Sequence, residues 1–355
     1  TQTTRENITN CTNTTNKGAT QNVHTGKDNI PPSTQRVGKD IPNSTHTVQG
    51  TRASNNDTLQ HAQSKTSSLK LLTYNIEGLW SSRDSDIFDY IEGFHFVTLV
   101  ETFCDEVPGD LFPNFQVFVA PGVKVSDSHT GRLSGGVAVL VRKELAGFVH
   151  KVHVEFDNTI VLCVSKEFLG TDSDVLVVSL YIPPAGSLYY RDTEIDNGIS
   201  MLEDCLLDLV RLKGNYPVIV MGDLNARVGC ENVCESEDVT DGFSVDLPDN
   251  AHIDTPFDDE QYSRSSADMT INPFGQYLLQ VCNEFDLVIT NGLCNTGAFS
   301  GDFTYISNTG CSVVDYFIVA KHLLSRCKSL VVKPLIDSKH MPIELEFSIA
   351  HENIV

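Results

Sequence analysis

Six short segments place polar or ionisable side chains at the margin of an apolar run. They are "LTYNIEGLW" (72–80), "VTLVETF" (97–103), "VVSLYIPP" (177–184), "VMGDLNA" (220–226), "VVDYFI" (313–318) and "DSKHMPIELEF" (337–347). Between them they offer Asn75, Glu77, Glu101, Tyr181, Asp223, Asn225, Asp315 and His340. Taken singly, most have plain readings: Asn75 and Asn225 suit turns, Tyr181 suits a core with a wet tip, and His340 is a lone imidazole. Glu101 resists such a reading, because an unpaired carboxylate in apolar surroundings is costly. Taken together they are the inventory that phosphodiester hydrolysis needs. A hard cation requires carboxylate oxygens, and amides and hydroxyls must hold phosphate oxygens. An acid or base must sit at the attacking water, beside a His held by a carboxylate.

The elements that must position these groups are visible as apolar runs. Strands are expected at 69–74, 94–100, 115–120, 136–141, 159–164, 174–182, 217–221, 286–290, 312–319, 329–335 and 343–349. Ile195, Ile199, Leu202, Leu206, Leu209 and Leu212 recur at helical spacing, and a second helix is expected from Phe274 to Phe285. Strands without strict β-α-β alternation point to sheet packed on sheet, covered by helices, in one domain. "GDLN" at 222–225 then reads as a turn that presents two polar side chains at the end of a buried strand.

The remaining segments are expected to be irregular. Residues 1–68 are rich in Thr, Asn, Ser and Gln without apolar period, so they cannot offset their ordering entropy and are expected to be disordered. Residues 231–261 carry eleven acids and no Lys or Arg, without the alternating spacing of a calcium loop, and are expected to form a solvated loop. Ten cysteines without a CxxC pair argue against a zinc site or disulfide scaffold and for a reducing compartment. No apolar run is long enough to span a bilayer, and no secretory signal opens the chain, so a nuclear or cytoplasmic protein is expected.

In this order and spacing, the six segments resemble the endonuclease/exonuclease/phosphatase superfamily, which includes DNase I and the apurinic/apyrimidinic endonucleases. Residues 131–143 ("GRLSGGVAVLVRK"), 272–292 ("NPFGQYLLQVCNEFDLVITNG") and 303–319 ("FTYISNTGCSVVDYFIV") are similar to the endonuclease domains of non-LTR retrotransposons. The resemblance covers about Leu69 to Ile349. It implies a four-layer α/β/β/α sandwich, DNase I-like, over residues 69–350. It implies Mg²⁺ (with Mn²⁺ as a substitute) bound by Glu101 with Asn75 and Glu77 nearby. Tyr181 and Asn225 would hold phosphate oxygens, Asp223 would orient or deprotonate water, and Asp315 would hold His340 against the scissile phosphate. DNA is the implied substrate, with a reverse-transcriptase segment expected in a full-length element and absent from this sequence.

Two departures bear on that expectation. The family carries Ser-Asp-His where this chain has Ser338-Lys339-His340, and Glu77 stands where the apurinic/apyrimidinic enzymes place Asp. Lys339 removes one anionic ligand candidate and adds a cation that competes for phosphate, so metal affinity or turnover should differ; the alternative is a catalytically impaired copy. Charge raises a rival substrate. Residues 1–65 hold seven Lys and Arg against four Asp and Glu, and the rest holds 18 against 43. Such acidity repels DNA outside the site and favours a small phosphorylated substrate as the alternative.

Overall fold

The computed structural model describes residues 67–81, 86–125, 133–191, 195–232, 262–294, 298–334 and 337–349. The expectations for residues 1–66 and 233–261 lie outside them. The apolar runs form strands β1 (Ser67–Asn75), β2 (Phe96–Val100), β3 (Phe115–Ala120), β4 (Val137–Arg142), β5 (Val149–Val152), β6 (Thr159–Val164) and β7 (Val175–Tyr181). They continue as β8 (Val218–Asp223), β9 (Leu287–Ile289), β10 (Tyr305–Ser307), β11 (Gly310–Ser312), β12 (Asp315–Ala320), β13 (Cys327–Val332) and β14 (Ile343–Ile349). Helices α1 (Ile87–Ile91), α2 (Lys166–Leu169), α3 (Ser200–Lys213) and α4 (Pro273–Glu284) intervene.

Two six-stranded sheets carry the fold, in the orders β13-β14-β1-β2-β4-β3 and β5-β6-β7-β8-β12-β9, with β10 and β11 as a separate hairpin. Each sheet holds one parallel pair, β1 with β2 and β7 with β8. A parallel pair needs a crossover; α1 lies in the first crossover and α3 in the second. Side-chain alternation divides β1, β2, β3 and β4 of the first sheet between two cores. Leu69 and Leu71 join Phe96, Val177 and Ile219 between the sheets, while Leu72 and Tyr74 join Ile87 and Ile91 of α1 on the outer face. Leu202, Leu206 and Leu209 of α3 and Leu278 and Cys282 of α4 are buried in the larger core. Each such fully buried aliphatic side chain contributes about 1.5–3 kcal/mol. The result is the expected α/β/β/α sandwich.

Several expected boundaries move. β1 starts at Ser67, ahead of Leu69. Strands β5, β10 and β11 were not expected, because "VHKV" has only its ends apolar and three-residue strands are too short to show alternation. The run expected at 312–319 is split: β11 ends at Ser312 and β12 starts at Asp315. α3 starts after Ile195 and leaves Leu212 61% exposed, so the expected apolar stripe overruns the helix at one end and the core at the other. α4 matches its expected span within one residue at each end. Its start is encoded locally: Asn272 caps it by accepting from Gly275 N, and Pro273 opens the first turn. No described helix is long and apolar enough to cross a membrane.

Candidate active site

Strand register assembles the first four groups. Asn75 is the last residue of β1, Tyr181 of β7 and Asp223 of β8, and Asp315 is the first of antiparallel β12. Asp223 lies opposite Tyr181 in one ladder and opposite Asp315 in the next. Residues opposite one another share a face, so three strands of the second sheet present their polar ends together. Asn75 reaches them from the first sheet: its Nδ2 donates to Asp223 Oδ2 at 2.9 Å. Its Oδ1 accepts from Glu77 N at 3.0 Å. One amide therefore ties the two sheets together at their open end.

The turn after β8 holds the next group. Asp223 Oδ1 accepts from Asn225 N at 3.0 Å, an Asx turn, and Asn225 takes a positive φ of 49°. Asn225 Nδ2 donates to Ile182 O at 2.9 Å, leaving its second amide hydrogen uncommitted among the described residues. Gly222 is required here, since a Cβ would lie 1.8 Å from Leu180 O. Glu101 leaves β2 with a φ of 53°, a conformation uncommon outside glycine. The Glu101 carboxylate lies within electrostatic reach of the Tyr181 hydroxyl. Burial first, then the charges of Glu101 and Asp223, push the Tyr181 phenol well above its ordinary range.

Asp315 and His340 form the cluster's charged pair. His340 Nδ1 donates to Asp315 Oδ2 at 2.9 Å, and Nε2 lies 3.9 Å from Asp223 Oδ2, beyond hydrogen-bond range. The Tyr305 ring tilts against the imidazole with centroids 4.8 Å apart. Burial alone would lower the His340 pKa, but the Asp315 carboxylate and its hydrogen bond, followed by Asp223 and Glu101, lift it to about 9. The Asp315 carboxylate thus favours the protonated imidazole. Burial, then the like charge of Asp315, raises the Asp223 carboxyl far above the usual carboxylate range, against the opposing pull of His340. Asp315 Oδ1 is buried with no hydrogen-bond partner among the described residues, a costly state for a carboxylate oxygen.

Glu77 stands apart from this cluster. Its Oε1 lies 2.7 Å from Lys339 Nζ, and its Oε2 accepts from Lys339 N at 2.8 Å. Ser338 Oγ is 3.2 Å from the same Oε2 and 2.9 Å from Asn75 O. Burial disfavours the Glu77 anion, yet the Lys339 backbone and ammonium outweigh it and hold the carboxyl below its ordinary range.

The oxygen donors suit a hard divalent cation. Ligand atoms of Asp223, Asp315 and His340 lie within 4.8 Å of one another, Asp315 Oδ1 has no hydrogen-bond partner among the described residues, and the Glu101 carboxylate is felt electrostatically at Tyr181 and at Asp223. Carboxylates are the donors such an ion takes. His340 is the exception, because its Nδ1 is committed to Asp315 and its favoured protonated form would oppose a cation.

A second group of residues supports the cluster and was not singled out from the sequence. Asn272 Oδ1 accepts from Arg227 N at 2.9 Å, and Asn272 Nδ2 donates to Asn225 O at 3.2 Å, clamping both sides of the turn after β8. Arg227 donates through Nε and Nη2 to the two oxygens of Asp268, at 2.7 and 2.6 Å. Asp268 Oδ2 also accepts from Val313 N at 3.1 Å, so one buried carboxylate joins the exit of β8 to the entry of β12. Asn158 Oδ1 accepts from Gly136 N at 2.7 Å, and Tyr181 N donates to Asn158 O, linking the sheets near Tyr181. An Asn before Pro was a legible signal for Asn272; nothing local marks Asp268 or Asn158.

Comparisons with known proteins find one family match and several similar solved structures. The model of the Endonuclease/Exonuclease/phosphatase family matches residues 72–340. The solved structure of AP endonuclease LMAP from Leishmania major is similar at 14% identity and a TM-score of 0.53, covering 79% of this chain and 88% of that one. An AP endonuclease from Archaeoglobus fulgidus is similar at 14% identity and a TM-score of 0.49, covering 79% and 99% of the two chains. The endonuclease domain of TRAS1, a telomere-specific non-LTR retrotransposon, gives 14% identity, a TM-score of 0.48 and coverages of 80% and 100%. No curated protein matches the sequence.

Proposed function

We propose that this chain, which belongs to the endonuclease/exonuclease/phosphatase family, is a phosphodiester hydrolase: a Mg²⁺-dependent endonuclease that nicks DNA, of retrotransposon origin. The catalytic domain we propose spans residues 69–350. One observation carries the reading: Asn75 bridges the sheets to Asp223 at 2.9 Å, beside an Asp315–His340 pair at the same strand ends. The retrotransposon origin rests on the segments at 131–143, 272–292 and 303–319.

In this proposal Asp223 orients the attacking water and takes its proton. Its raised proton affinity suits a general base better than an ordinary carboxylate would. Asn75 and the Asn225 backbone hold it in place. Tyr181 and the uncommitted Asn225 amide hydrogen hold non-bridging phosphate oxygens. His340, kept protonated by Asp315, contacts the scissile phosphate as a cation. Glu101 is the principal ligand proposed for Mg²⁺, with Asn75 acting through Asp223; the bound ion would neutralise charge developing on the phosphate. Glu77 was expected near the ion, but both of its oxygens are engaged by residues 338–339.

The excess of 43 acids over 18 bases beyond residue 65 favours the second reading, a small phosphorylated substrate. Nicking of supercoiled plasmid, measured across a salt series with Mg²⁺ or chelator present, separates the two. An endonuclease nicks only with the metal and weakens as salt rises, because phosphate contacts displace counterions. Hydrolysis of a small aryl phosphodiester without plasmid nicking, and nearly flat in salt, would favour the second reading.

A further inference from the structure

We infer that Lys339 and Glu77 form a fixed charge pair that withholds Glu77 from the metal-holding set and so governs the divalent-ion affinity of the site. The inference rests on the metal-dependent reading above and concerns residues of this chain alone. Glu77 has two carboxylate oxygens and both are committed: Oε1 to Lys339 Nζ at 2.7 Å, Oε2 to Lys339 N at 2.8 Å and to Ser338 Oγ at 3.2 Å. For Glu77 to bind an ion, it would have to abandon an ammonium, a backbone N–H and a hydroxyl together.

The backbone that presents Lys339 is itself pinned. Ile306 N donates to Lys339 O at 2.8 Å, and Met341 N donates to Thr304 O at 2.6 Å, so the strand leading into the β10–β11 hairpin grips residues 339–341. His340 N donates to Ser338 Oγ at 3.1 Å. Glu77 is fixed from the other side by its N–H on Asn75 Oδ1 and by a positive φ of 46°. Both ends of the pair are thus held by backbone contacts, and only the Lys339 side chain projects, 57% exposed. An exposed ion pair adds little to stability. Its consequence lies in what it does to a third charge. The Lys339 ammonium senses Glu101 and Tyr305 as well as Glu77. Its charge is felt at Glu101, the proposed principal ligand, so it opposes a divalent cation there while cancelling the Glu77 carboxylate.

The test is calorimetric titration of the full chain with Mn²⁺, comparing wild type, Lys339→Met, Glu77→Gln, Glu101→Gln and the Lys339→Met/Glu77→Gln double variant. Lys339→Met should tighten Mn²⁺ binding about tenfold, in the range typical of groups flanking ligands. Glu77→Gln should change wild-type affinity by less than about twofold, within the spread of minor second-contact effects, and should abolish the gain when added to Lys339→Met. Glu101→Gln should weaken binding in either background. Unchanged affinity in Lys339→Met, or a loss in Glu77→Gln as large as in Glu101→Gln, overturns the inference while leaving the metal-dependent reading intact. Absence of Mn²⁺ binding in every variant, each folded by circular dichroism, overturns both.

Discussion

At the open end of the sheets, two charged regions lie side by side and are built on different principles. Asn75, Asp223, Asp315 and His340 are all buried, and ladder pairing sets the positions of Asp223 and Asp315. Glu77 and Lys339 sit on loops at the rim with side chains 30% and 57% exposed, and meet through an ion pair. In the buried region, charge is expensive, so the groups are held by partners and two proton affinities are displaced: His340 upward to about 9, Asp223 upward as well. At the rim, water screens the charges and a residue can be exchanged at small cost to the fold. The buried cluster can therefore carry chemistry that tolerates no substitution, while the rim can retune ion affinity through a single side chain.

The sharpest way to break this contrast is Asp223→Asn. Removing the proposed base should lower plasmid nicking about 10³-fold, read under single-turnover conditions. Asp315→Ala comes next, with a fall of about 10²-fold and a second signature. Without Asp315, the chief group raising it, the His340 pKa should drop from about 9 toward or below its ordinary 6.5, as burial takes over. Imidazole proton shifts followed against pH would record it.

The same pair predicts a stability profile for the metal-free protein. A histidine whose folded pKa exceeds its unfolded value stabilises the fold fully below about 6.5, and that contribution is lost as pH rises through about 9. Asp223 acts with the same sign, because its raised folded pKa makes the folded state release its proton later than the unfolded state does. Denaturant midpoints should fall between pH 6.5 and 9 in wild type, and the slope should flatten in Asp315→Ala. An equal slope in the variant would show that the pair is not its source.

Smaller effects sharpen the boundary between the regions. Asn272→Ala should cost about 1 kcal/mol through loss of the α4 cap, and lower nicking through the freed Asn225 turn. A stability loss with unchanged turnover would confine Asn272 to the scaffold. Lys339→Met should leave the melting midpoint nearly unaltered, within about 0.5 kcal/mol, while shifting the Mg²⁺ concentration for half-maximal nicking downward.

How much of this was legible depended on how local each signal was. Apolar runs ending on Asn75, Glu101, Tyr181 and Asp223 revealed both the strands and the residues at their ends, since burial and chemistry meet within a few residues. Asp315 was marked as a candidate although its strand was expected to start earlier, at 312, because the Val313-Val314 corner looks as apolar as strand. Asp268 and Asn158 stayed hidden: their roles rest on partners 45 and 22 residues distant in sequence, Val313 and Gly136, which no periodicity connects. Lys339 was recognised as foreign to the pattern, but its grip on Glu77 requires two loops 262 residues apart to meet.

The most direct test of the buried cluster's role is single-turnover nicking of supercoiled plasmid by wild type and Asp223→Asn across a Mg²⁺ titration. The expected result is Mg²⁺-dependent nicking in wild type, and a loss of about 10³-fold in the variant that added metal does not restore. Near-wild-type nicking by folded Asp223→Asn would contradict the assignment of the strand-end cluster as the hydrolytic centre.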